Sequence, residues 1–270
     1  VQRRRFRLLS LLAAPLCLLS ALTVVAAPAG AAPPPYSSAT RYVAMGDSYS
    51  SGLGGSGVSL DCGRSPQGYP TLWANAHGIT TFTDVTCAGA VTEDVLANQV
   101  SGLSAQTDVA TITIGGNDVG LGSLVSNCLL ATDQGCAQAV QQFQASLPAL
   151  NAKLDTTYAA IRQAAPTAQV YVLGYPHLFE TTWTCFEFPA LSQPKRVVIN
   201  QGTDALNSSI AQRATQAGFQ FVDAQAKFNG HARCSVNPWI LPVFSLPAPL
   251  HPNADGYRYG YQAALTAATG

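Results

Sequence analysis

A serine hydroxyl becomes a nucleophile only when a base takes its proton and donors receive the charge that forms on the substrate. In this 270-residue chain the candidate hydroxyl is Ser48, in Met45-Gly46-Asp47-Ser48-Tyr49-Ser50 directly after the apolar run Tyr42-Val43-Ala44. Gly46 lets the backbone turn without a Cβ penalty. A residue just past a buried strand's carboxyl end projects into the crevice where open α/β sheets place ligands. Gly-Asp-Ser is also an ordinary turn former, so the reading depends on what the rest of the chain supplies. Two further sharp turns, Ala88-Gly89-Ala90 and Gly116-Asn117-Asp118, close other strand-like runs. The backbone N–H groups of Ser48 and Gly89 and the side-chain amide of Asn117 then make a candidate oxyanion hole. Gly89 has no side chain to block close approach, and Asn117 donates without carrying charge. Of the four histidines, His77 reads as a helix-end or surface residue, and His177 and His231 lie in loops with nothing catalytic around them. His251 is the candidate base, because Pro252 and Asn253 start the last helix and hold the loop before it.

The elements that must position these groups alternate along the chain. Apolar, β-branched runs predict strands at 40–45, 80–85, 108–114, 169–174 and 219–223. Helical patterns fall at 69–77, from an N-cap at Thr92, at 138–164, at 194–217 and at about 253–267. Pro148 predicts a break or kink that divides the 138–164 segment. Strands alternating with helices argue a parallel, doubly wound α/β sheet. Carboxyl ends of parallel strands share one rim, so the three turns become neighbours. Gly52-Leu53-Gly54-Gly55-Ser56-Gly57 formally matches G-x-G-x-x-G, but turns follow it where a dinucleotide loop must open a helix. A mobile loop beside Ser48 is the better reading.

Residues 1–32 read as a removed secretory signal: Arg3, Arg4, Arg5 and Arg7 precede the apolar run 8–27, and Ala27-Pro28-Ala29 offers a cleavage site. A retained anchor fits less well, because Ser10, Pro15, Ser20 and Thr23 interrupt the run and Pro33-Pro34-Pro35 follow without a basic flank. Without its four arginines the chain is near −4, with no electrostatic footprint for nucleic acid. After a short Pro-rich lead-in at 33–39, residues 40–270 are enough for one domain. Six cysteines remain once Cys17 is gone, and six allow 15 pairings. Cys128 and Cys136 close a short, turn-rich loop and pair, with Cys62–Cys87 and Cys185–Cys234 then the least entangled choice. Neither C-x-x-C nor H-E-x-x-H occurs, so the expectation is structural disulfides and no metal.

Four separated blocks, Gly46-Asp47-Ser48-Tyr49-Ser50, the Gly89 turn, Gly115-Gly116-Asn117-Asp118 and His251-Pro252-Asn253, stand in the order found in the SGNH (GDSL) hydrolases, which the chain resembles from Arg41 to Tyr257. The resemblance implies a flavodoxin-like, three-layer α/β/α sandwich with a five-stranded parallel sheet. It implies Ser48 as nucleophile, Gly89 and Asn117 in the oxyanion hole, His251 as general base, and no cofactor. Within the family the cysteines and the Gly-Asp-Ser-Tyr-Ser wording look like secreted actinobacterial lipases and phospholipases A1. The G-x-S-x-G elbow of the α/β-hydrolases is absent. The chain departs from the family at Ala248, where an Asp usually orients the histidine. A Ser48–His251 dyad is therefore expected, with the carbonyl of Ala248 or Pro249 as orienter and Asp255 a poorer candidate. Residues 239–246 either line an acyl pocket or form an ordinary packed loop, and Trp183, Phe186 and Phe188 could join an apolar rim. The function expected is carboxylic-ester hydrolysis on a small-molecule or lipid ester, by a monomer with at most transient lipid-interface contact. Carbohydrate O-deacetylation and a non-catalytic binding protein on the same fold are the alternatives.

Overall fold

A computed structural model describes residues 36–182 and 184–270. The expected signal at 1–32, the first part of the lead-in and Trp183 lie outside the described residues. Strands β1 (Arg41–Gly46), β2 (Thr81–Asp84), β3 (Val109–Thr113), β4 (Gln169–Leu173) and β5 (Gln220–Val222) pair in parallel, in the order β2-β1-β3-β4-β5. Tyr42 stands opposite both Phe82 and Val109, and Tyr171 opposite Gln220. From β1 the chain goes to one side for β2 and then to the other for β3. Winding therefore reverses between β1 and β3, and the loops leaving their carboxyl ends diverge around a crevice. Those are the Ser48 and Asn117 loops.

The central strands are buried almost from end to end because both faces are covered, and β3 buries Thr111 and Thr113 among its apolar residues. On β1, Tyr42 meets Trp73 at a 5.1 Å ring separation, while its neighbour Val43 lies by Gly102 on the opposite face. The helices are α1 (Ser48–Ser51), α2 (Tyr69–Ala76), α3 (Thr92–Asp94), α4 (Leu121–Leu130), α5 (Asp133–Ala164), α6 (Gln193–Gln216), α7 (Gln225–Phe228) and α8 (Ala263–Thr269). Helices α4, α5 and α6 pack on one another. A widened, π-helical segment, Gly256–Gln262, leads into α8 and packs against α2 and α7.

Several expectations are corrected. Pro148 does not divide its segment: α5 runs through it for 32 residues. Phe143, Leu147, Leu150, Leu154, Tyr158 and Ile161 are buried on one stripe on both sides of the proline, and that packing outweighs one lost backbone bond. Thr92 is not the cap of its helix; Val91 occupies that position, and the Thr92 hydroxyl donates to Asp118 at 2.6 Å. The 52–68 loop is pinned where mobility was expected. Ser65 N–H donates to Ser51 O at 2.8 Å, Tyr257 Oη donates to Leu53 O at 2.9 Å, and the Cys62–Cys87 disulfide ties the loop to the strand end beside it. The Cys128–Cys136 segment is not a turn-rich loop but the corner between α4 and α5, where Thr132 caps α5 by accepting from Gly135 N–H. The third disulfide joins Cys185 to Cys234.

Candidate active site

The Ser48 turn is built by close backbone approach. Gly46 has φ +115°, and a Cβ there would lie 2.3 Å from Thr113 O, so only glycine fits. Gln99 clamps this residue from both sides, accepting from Gly46 N–H at 2.6 Å and donating to Gly46 O at 3.0 Å. Asp47 caps α1 by accepting from Tyr49 N–H at 2.9 Å. Ser50 Oγ accepts from Thr113 N–H at 3.0 Å, tying α1 to β3. The nucleophile candidate thus sits on a turn whose every backbone neighbour is held.

His251 reaches Ser48 from the loop before the last helix. Tyr49 Oη donates to Leu250 O at 2.9 Å, and Leu241 N–H donates to His251 O at 2.8 Å. His251 Nε2 lies 2.6 Å from Ser48 Oγ, and Nδ1 lies 2.8 Å from Pro249 O. A carbonyl can only accept, so Nδ1 carries the hydrogen and the Nε2 lone pair faces the serine hydroxyl. Of the two carbonyls open at the sequence level, Pro249 O bonds the ring, while Ala248 O accepts the His251 backbone N–H at 3.4 Å. Burial pulls the imidazole down from the usual 6.5 to about 4, against the raising effect of the Pro249 and Ala248 carbonyls.

Asn117 donates from Nδ2 to Ala90 O at 2.9 Å. An amide nitrogen has a second hydrogen, and Asn117 lines the same cavity as Ser48 and His251. Gly89 has φ +82° and lines a neighbouring depression with Cys62, Arg64 and Gln99. Its turn is joined to the Asn117 loop through Ala90. The Asp118 side chain is buried and bonds the Thr92 hydroxyl and backbone N–H at 2.6 and 3.1 Å, so it fixes the loop from behind.

Ser48, Asn117 and His251 line one cavity of about 140 Å³. Leu121, Val125, Leu178, Val243 and Leu250 make its apolar wall. Residues 44–259 match the model of the GDSL-like Lipase/Acylhydrolase family. The chain belongs to this family. It is 41% identical to Lipase 1 of Streptomyces coelicolor over 98% of this chain and 99% of that one. The crystal structure of the extracellular lipase from Streptomyces rimosus superposes with TM-score 0.81 at 41% identity, covering 86% of this chain and all of that one. Phospholipase A1 from Streptomyces albidoflavus superposes with TM-score 0.80 at 38% identity, over 84% of this chain and 98% of that one. This GDSL-family chain is an ester hydrolase with the α/β fold its neighbours share.

The other three histidines stand elsewhere: His77 Nδ1 bonds Trp73 O, His177 pairs with Asp204, and His231 stacks on Trp239 at 3.6 Å. What the sequence reading missed is the group behind the nucleophile. Tyr175, just past β4, donates to Asp47 Oδ2 at 2.5 Å and accepts Gly116 N–H at 2.9 Å. Burial pushes Asp47 up to about 7, against the lowering bonds from Tyr175 and Tyr49. Tyr175's place at the end of a parallel strand, on the rim that carries the other loops, was the one available signal.

Proposed function

We propose that this GDSL-family hydrolase is a secreted enzyme that removes acyl chains from lipid esters through a Ser48–His251 dyad and an acyl-enzyme. The observation that carries this reading is the 2.6 Å contact from His251 Nε2 to Ser48 Oγ, with Nδ1 held by Pro249 O, in a cavity that aliphatic side chains also line. Ser48 Oγ attacks the ester carbonyl as its proton passes to Nε2. Ser48 N–H, Asn117 Nδ2 and Gly89 N–H receive the oxyanion. The imidazolium returns the proton to the leaving alkoxide, and a water deprotonated by His251 then releases the acid. The Pro249 carbonyl dipole fixes the tautomer and faces the charge that forms on the ring, the part a carboxylate plays in triads. Residues 1–32 act as the export signal, 33–39 as the lead-in and 40–270 as a single catalytic domain working as a monomer. Three disulfides and the extracellular Streptomyces rimosus relative support export.

The relatives' names, lipase and phospholipase A1, and the cavity's aliphatic wall support this substrate class. Each methylene buried there contributes about 0.8 kcal/mol. With p-nitrophenyl esters, kcat/KM is expected to rise at least about tenfold from acetyl to medium chains. Preference for acetyl alone, or activity on acetylated xylan without activity on triolein or phosphatidylcholine, would favour O-deacetylation. A fluorophosphonate adduct on Ser48, absent from Ser48→Ala, identifies the nucleophile in the same assay. The pH profile gives an independent check. The base must be neutral to act, and its folded pKa is about 4, so kcat/KM should fall with acid through about pH 4, well below the ordinary histidine range. A limb at the ordinary histidine range would mean that burial does not hold the His251 imidazole this low in the working enzyme.

A further inference from the structure

The loop that carries His251 contains apolar residues that the catalytic cavity does not use. Val243 lines the cavity, as do Pro249, Leu250 and His251. Between them the chain turns outward, and Phe244 is 74% and Leu246 85% exposed. The Phe244 ring stands 5.7 Å from that of Phe188. Phe188 connects the loop to the segment behind the Cys185–Cys234 disulfide, where Phe186 is 88% and Val236 94% exposed. Large apolar side chains exposed singly need no explanation, but four on segments joined by the Phe188–Phe244 contact and the Cys185–Cys234 disulfide, one of them running on from the cavity wall at Val243, mark an interaction surface.

Charge narrows the partner. No Asp, Glu, Lys or Arg occurs between Arg233 and Asp255. On the neighbouring segment the Glu187 carboxylate takes the Arg233 guanidinium in an ion pair. The patch therefore offers aromatic and aliphatic groups without a charge to attract an anionic headgroup or another protein's charged rim. It is also continuous with the wall against which the acyl chain is proposed to lie. We propose that Phe244, Leu246, Phe186 and Val236 form a docking surface for an uncharged or zwitterionic lipid layer, which holds the mouth of the Ser48 cavity against aggregated ester. The proposal rests on the lipid-ester reading above and adds where the protein touches its substrate phase. Insertion of the two loop residues shortens the path an acyl chain travels from the layer to Ser48, so its benefit is confined to aggregated substrate.

The test separates docking from chemistry. Binding is measured by flotation with phosphatidylcholine vesicles, using Ser48→Ala so that lipid is not consumed, with and without Phe244→Ser/Leu246→Ser. The double change is expected to lower the vesicle-bound to free ratio at least about tenfold at any salt concentration. In the active enzyme it should lower the rate on dispersed triolein or phosphatidylcholine by a similar factor. Hydrolysis of dissolved p-nitrophenyl acetate should stay within about twofold. Phe244→Trp in the Ser48→Ala protein should keep vesicle binding, and the emission of the introduced indole should be quenched by brominated phosphatidylcholine. Unchanged flotation of the double variant, binding only to anionic vesicles and lost in salt, or an unquenched indole signal from bound Phe244→Trp protein would each overturn the docking surface. If the wild type hydrolyses no dispersed lipid while the variant still loses flotation, the substrate reading fails and the docking surface stands.

Discussion

Replacing His251 with alanine is expected to lower kcat roughly a thousandfold to ten-thousandfold while the protein stays folded. Without Nε2 at 2.6 Å the Ser48 hydroxyl keeps its proton at neutral pH. The cavity and donors remain, so KM should change by less than about threefold, and residual turnover should exceed the uncatalysed rate. Ser48→Ala should cost a similar factor, and the two changes together should cost little more than either alone, because they disable one unit. The orienter makes the second half of the prediction. Nδ1 is already satisfied by Pro249 O at 2.8 Å, so Ala248→Asp, which restores the carboxylate usual in the family, should leave kcat per titrated site within about threefold. Ala248 is buried, and an added carboxylate there should lower stability, so rates are normalised to fluorophosphonate-titrated sites. A large gain or loss per site would mean that the carbonyl is not what holds the ring.

The sheet and the catalytic loops were legible because their signals are local. Buried parallel strands read as β-branched runs, and each ends in residues that permit a sharp turn, as Gly46 does with φ +115°. The family blocks sit at those ends and carry the resemblance. What failed was set by tertiary contact. Pro148 carries a breaker's local signal, yet the buried stripe on both sides keeps α5 continuous. The glycine-rich stretch after Ser51 looks mobile until Ser51, Tyr257 and Cys87 are seen to hold it. Residues 239–246 were open between pocket and packed loop, and the structure divides them: Val243 lines the cavity, Trp239 stacks on His231, and Phe244 faces outward. Strand alternation does not extend into loops, so no periodicity could have sorted those side chains. The partnership of Tyr175 with Asp47 spans 128 residues and leaves no trace in local pattern.

That partnership leads to the other large expected effect. Tyr175→Phe removes one hydroxyl and takes the partner from two buried atoms, Asp47 Oδ2 and the Gly116 N–H, while Asp47 Oδ1 keeps its bond from Tyr49 N–H. Unpaired buried groups cost about 1–3 kcal/mol each, so a stability loss of about 2–6 kcal/mol is expected. The sign of its pH dependence follows from Asp47. Its folded pKa, about 7, lies above the ordinary 3.8, so its ionisation opposes folding increasingly as pH rises from about 4 through about 7. The Tyr175 bond lowers that pKa, and its loss raises it further. The deficit of the variant should therefore be larger at pH 8 than at pH 5, read as the difference in urea midpoint. Function should suffer separately. Tyr175 links the turn that holds Ser48 to the turn that holds Asn117, and transition-state donors misplaced by a fraction of an ångström lose much of their effect. At a temperature where the variant is folded, kcat should drop about tenfold to a hundredfold with KM nearly unchanged, and fluorophosphonate inactivation should slow in parallel. A role confined to stability would give a reduced active-site titre with normal kcat per site. In that case the spacing of the two loops is set by Gln99, Ser50 and the β1–β3 pairing alone, and Tyr175 only fills the core behind them.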